Sequence, residues 1–79
     1  MTKISHIIKL LGENGYEELG TCLNDDMDNN YIVFEKDTPK GVITVNVSNN
    51  RVHQIFHDIK GHVELEVSYG YDMFILFLT

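Results

Sequence analysis

Cysteine occurs once, at Cys22, and proline once, at Pro39. A lone thiol cannot close an internal disulfide, so a reducing compartment is the simplest expectation. Bases are scarce too: six Lys and Arg stand against twelve Asp and Glu, for a formal net charge of −6. Their placement sharpens the shortage. Between Lys9 and Lys36 lie Glu13, Glu17, Glu18, Asp25, Asp26, Asp28 and Glu35 with no Lys or Arg among them, and after Lys60 only Glu64, Glu66 and Asp72 follow. Affinity for a phosphate backbone comes largely from Lys and Arg displacing counterions, so direct nucleic-acid binding is not expected. A long apolar run is also missing. The longest, MFILFL, is far too short to cross a bilayer, and the N-terminus lacks the basic segment, apolar run and small-residue site of a secretion signal. A cytoplasmic protein that does not engage a membrane is the expectation.

What is present suits a folded chain: 43% of residues are apolar, 23% are charged, and no tract is of low complexity. Seventy-nine residues predict one compact domain spanning 1–79, near the lower limit of what one core stabilises. So small a fold has little apolar area to spare for a deep substrate cavity, and self-association is a natural supplement.

Periodicity predicts the elements. Ile4, Ile7, Ile8 and Leu11 keep the i, i+3, i+4, i+7 spacing of a helical face, with Thr2 as N-cap and Asn14-Gly15 as stop. EELGTCL reads as a short edge strand interrupted by Gly20, and NDDMDNN as a loop. YIVFEK and VITVNVS, joined by DTPKG, predict a hairpin. In RVHQIFHDIKGH, the residues Val52, Ile55, Phe56 and Ile59 again make a helical stripe. Asn49 or Asn50 can cap it, Lys60 suits its last turn, and Gly61 ends it, so a second helix is expected. HVELEVSY alternates, with Val63, Leu65, Val67 and Tyr69 expected inward and Glu64, Glu66 and Ser68 outward. MFILFL is expected to be a final strand, apolar on both faces and therefore covered on both. The predicted class is α+β: a mostly antiparallel sheet of four to five strands with two amphipathic helices, in the order α-(β)-β-β-α-β-β.

His53 and His57 stand four apart, one letter from a zinc-protease signature, with Gln54 where that motif has its glutamate. On a helix both imidazoles would share a face and could grip one metal ion. An amide does not accept a proton near neutral pH, however, and the other candidate ligands (His6, Cys22, Asp58, His62) are scattered. They read as surface histidines, with metal binding the alternative. Counting from Asn24, oxygen ligands at Asn24, Asp26, Asp28 and Glu35 fall on calcium-loop positions, but Asn29 replaces the required glycine and a strand follows. Cys22 has no cationic neighbour or CxxC partner, and Ser5, Ser48 and Ser68 lie outside nucleophile motifs. No cofactor and no catalytic residue is implied.

The acidic residues remain. Glu13, Glu17, Glu18, Asp25, Asp26, Asp28, Glu64 and Glu66 are the expected partner-binding set, presenting negative charge to a basic surface of another protein. Tyr16, Tyr31 and Tyr71 lie in or beside turns, where exposed tyrosines anchor interfaces. Size and charge suggest a non-catalytic regulator or inhibitor. Phages and mobile elements encode many such proteins, some of which mimic nucleic acid to block host defence nucleases. A homodimer through the C-terminal strand is the accompanying expectation.

Overall fold

The computed structural model describes residues 2–23 and 30–79, which form α1 (Lys3–Glu13), β1 (Glu17–Cys22), β2 (Tyr31–Thr38), β3 (Gly41–Ser48), β4 (Arg51–Asp58), β5 (Val63–Gly70) and α2 (Tyr71–Leu78). The protein is α+β. Its five strands make one antiparallel sheet in the order β1-β2-β3-β4-β5, each pairing with its sequence neighbour.

The first helix follows its periodicity. Thr2 has extended backbone and its side chain accepts from the Ser5 amide, satisfying one of the helix's free donors. Ile7 and Leu11 are buried, with Ile4 and Ile8 packed beside them. At the other end Gly15 takes φ 87°, and the Tyr16 amide donates back to the Leu11 carbonyl at 2.9 Å.

Two expected elements exchange type. Residues 51–58, read as a helix, are strand β4. Val52, Ile55 and Ile59 are β-branched, which disfavours a helix and suits a strand. The pairings Asn46–His53, Val45–Gln54 and Thr44–Ile55 make β4 an interior strand with apolar residues on both faces, so it lacks the clean alternation of a half-buried one. Asn49-Asn50, read as a cap, instead joins β3 to β4 as a tight hairpin turn. Ile59, expected in the core, is 81% exposed.

The last expected strand is helix α2. Tyr71, Phe74, Ile75 and Leu78, at i, i+3, i+4 and i+7, face the core, and Asp72 in the first turn suits the helix dipole. Phe74 is fully buried, with its ring centroid 5.5 Å from Tyr69 and 6.1 Å from Phe77. The Tyr71 hydroxyl donates to the Ser48 carbonyl, tying the start of α2 to the end of β3.

Both helices lie on one face of the sheet. Phe34, Val45, Val47 and Val52, which register and alternation put on a common face, form a single core cluster with Ile7, Leu11 and Phe74. Register also places Leu65, Val67 and Tyr69 on that face, but only Tyr69 packs against the core. Val63 and Leu65, expected inward, are 55% and 52% exposed.

Candidate interaction surface

Among the described residues, no helix lies on the opposite face of the sheet. Pairings carry its composition from strand to strand: Glu17 of β1 opposes Glu35 of β2, which opposes Thr44 of β3, which opposes Ile55 of β4, which opposes Glu66 of β5. Alternation adds Tyr31, Val33 and Asp37 from β2, Val42, Asn46 and Ser48 from β3, and Arg51, His53 and His57 from β4.

The charge is one-sided. Glu17, Glu35 and Asp37 gather at the β1–β2 end and Glu66 lies at the β5 end, with Arg51 the one Lys or Arg that register puts on this face among the described residues. The other bases stand elsewhere. Lys3 pairs with Asp72 at 2.9 Å, Lys36 lies on the helix side with its Nζ 5.6 Å from the Tyr16 ring centroid, Lys9 is on α1, and Lys40 and Lys60 sit in hairpin turns. Arg51 is itself engaged: its Nε donates to the Ser68 hydroxyl at 2.8 Å.

His53 and His57 both belong to this open face. As positions i and i+4 of a strand they are about 13 Å apart along the chain, too far for one ion to bind both. The helical premise of the metal alternative is therefore corrected. His53 Nε2 lies 2.9 Å from a Glu66 oxygen, so its neighbour is a carboxylate from the next strand. Gln54, at the position of the motif's glutamate, points the other way and is buried at 7% exposure under the helices. Among the described residues no three His, Cys, Asp or Glu side chains come together as a metal site.

Asp58 closes the β4–β5 hairpin. Its Oδ1 accepts from the Lys60 and His62 amides, each at 2.9 Å. The His62 amide is the main reason its carboxyl sits below the usual range, with the Lys60 amide adding to it. Asp58 is thus a turn-forming residue.

The expected partner-binding carboxylates do not form one patch. Glu13 ends α1 and Glu17 and Glu18 lie on β1, one edge of the sheet, whereas Glu64 and Glu66 lie on β5, the other edge, about 19 Å away across four strand spacings. Alternation along β1 puts Glu17 and Glu18 on opposite faces, and a bulge between Glu18 and Gly20 leaves Leu19 unpaired. Asp25, Asp26 and Asp28, with Asn24 of the calcium reading, lie outside the described residues. Glu35, the last position of that reading, is fixed within β2.

Of the tyrosines, Tyr16 packs against the core, where burial first and the nearby Tyr69 second push its phenol up. Tyr71 is bonded to Ser48, and burial raises its phenol as well. Tyr31 sits opposite Cys22 in the β1–β2 ladder, and a hydrogen bond with that thiol is the first cause of its raised phenol. Two of the three are structural supports, not free anchors.

Glu35, Asp37 and Arg51 were missed as members of a surface. The signal was in the alternation of YIVFEKD, which splits Tyr31, Val33, Glu35 and Asp37 from Ile32, Phe34 and Lys36. No helix among the described residues is long and apolar enough to cross a membrane. No protein family, curated protein or solved structure matches the chain.

Proposed function

We propose that the protein is a non-catalytic binding module whose open sheet face docks on a basic surface of another protein. The observation that carries this reading is an uncovered face on which Glu17, Glu35, Asp37 and Glu66 meet a single Arg51. A flat sheet face suits a broad electrostatic contact better than it suits the enclosure of a reacting group. Its central residues, Thr44, Asn46 and Ile55, add polar and apolar contact area between the acidic ends. The unpaired Cys22 supports a reducing compartment such as the cytoplasm. An inhibitor of a nucleic-acid-binding protein is the specific form of this reading, because a groove built for phosphates also attracts carboxylates.

The test starts with the partner captured at low salt, identified by mass spectrometry and purified. Raising salt from 50 to 300 mM should weaken association at least about tenfold, as screening shortens the reach of the charges. A chain carrying E17Q, E35Q, D37N and E66Q should bind about as weakly at low salt as the natural chain does at high salt. Binding that ignores both changes refutes the reading. Displacement by duplex DNA would show that the partner's surface ordinarily holds nucleic acid.

A further inference from the structure

The helix side of the molecule carries an apolar surface that the fold leaves uncovered. Met73, Leu76 and Phe77 form one stripe of α2 at i, i+3 and i+4, facing away from the core, and are 62%, 69% and 57% exposed. Phe77 stacks on Tyr69 with centroids 5.8 Å apart, and Val67 and Leu65 continue from Tyr69 along the same face of β5. Leu65 is itself half exposed. A ridge on the helix thus stands beside a shallow apolar strip on the strand.

We infer that this surface is a two-fold interface with a second copy of the chain, the α2 ridge of each protomer seated on the β5 strip of the other. Leu65, Met73, Leu76 and Phe77 together expose roughly 500 Å² of residue surface, within the range of a monomer's largest patch and about three fifths of one partner's share of a standard interface. The ridge and the strip lie side by side on one molecule, so a two-fold axis between them can bring each onto the other, as an isologous contact requires. The small core gives the contact its reason: only seven hydrophobic residues among those described are buried. The contact is made by side chains and not by joining the two β5 edges into one sheet. Antiparallel β5–β5 pairing would bring Glu64 and Glu66 of the two copies together, and like charges facing each other across strands are destabilising. The negatively charged open face stays outside the dimer.

The salt dependence separates this inference from the proposed function, on which it does not rest. Two copies at −6 repel, so added salt should strengthen self-association while it weakens the docking of a basic partner. Sedimentation velocity and light scattering over a concentration series should give twice the 9.1 kDa chain mass, with dissociation moved to lower concentration by salt. L76E should raise the dissociation constant at least about tenfold, since it puts a charge into an apolar contact. E35Q, on the open face, should leave the dimer intact. M73E is the second variant if L76E loses its far-UV circular dichroism. A chain that stays monomeric at several hundred micromolar overturns the inference, as does a dimer that survives both L76E and M73E, or open-ended growth. A monomer that floats with phosphatidylcholine vesicles also overturns it and assigns the surface to lipid.

Discussion

Truncation of Phe74 and of Leu76 should have very different consequences, and the contrast tests the helical assignment of the C-terminal segment. Phe74 is fully buried and Leu76 is 69% exposed, because on a helix residues two apart point to different sides. On a strand the same two residues would share a face and cost about the same to remove. Phe→Ala in a core costs about 3–5 kcal/mol, including the cavity left behind, and here it also removes ring contacts to Tyr69 and Phe77. At roughly 0.05–0.15 kcal/mol per residue, a chain of this length has only about 4–12 kcal/mol in total. F74A therefore takes from about a quarter of the stability to all of it. F74L keeps most of the volume and should lose about 1.5 kcal/mol or less. L76A gives up little burial and gains helix propensity, so it should stay within about 0.5 kcal/mol. Urea unfolding followed by far-UV circular dichroism reads all three, at micromolar protein so that self-association adds little. Equal losses for F74A and L76A, or a larger loss for L76A, would refute the helical packing.

Gly41 has φ 150°, and a Cβ there would overlap the His57 carbonyl oxygen and lie 2.9 Å from the Asp58 Cα. G41A must push β4 away from β3, and a loss of at least about 2 kcal/mol is expected, a fall in Tm on the order of 10 °C. A loss under about 0.5 kcal/mol would mean that the close approach does not exist. The lowered carboxyl of Asp58 makes the β4–β5 hairpin sensitive to acid. Its stabilisation is complete above the ordinary aspartate value of about 4 and is lost as pH falls through the lower folded value, so the Tm gap between the natural chain and D58A should close progressively as pH falls below about 4. A gap independent of pH would show that the carboxylate does not hold the Lys60 and His62 amides. Y71F removes the hydroxyl bonded to the Ser48 carbonyl and should cost about 0.5–1.5 kcal/mol in the same urea assay. An unchanged midpoint would mean that α2 is anchored by packing alone.

How far these features could be read in advance depended on whether a pattern had a single solution. The first helix had one: a capped stripe with a glycine stop fits nothing else. The β2–β3 hairpin did as well, because Pro39 and Gly41 punctuate two β-rich runs. In β4 the same letters satisfied two geometries. Val52, Ile55, Phe56 and Ile59 have helical spacing, yet Val52 and Phe56 also share a strand face, and the decision comes from β3 and β5 pairing on either side. In α2 every residue from Met73 to Leu78 is apolar, so there is no polar face from which to read a period. Only Tyr71, before that run, reveals the i, i+3, i+4, i+7 series. The acidic surface was legible as a charge imbalance but not as a place. Glu17 and Glu66 sit on opposite edges, and Glu35 and Asp37 joined the surface only once their strand had a register.

The sheet's neighbour-only pairing has a kinetic corollary. Each ladder can zip from its own connection, so no strand waits for a distant segment before it finds a partner. The longest closure is the contact between α1 and α2, which brings Lys3 to Asp72. The meander can therefore form from local pairings, while the packing of the two helices over the core adds the contacts of greatest sequence separation.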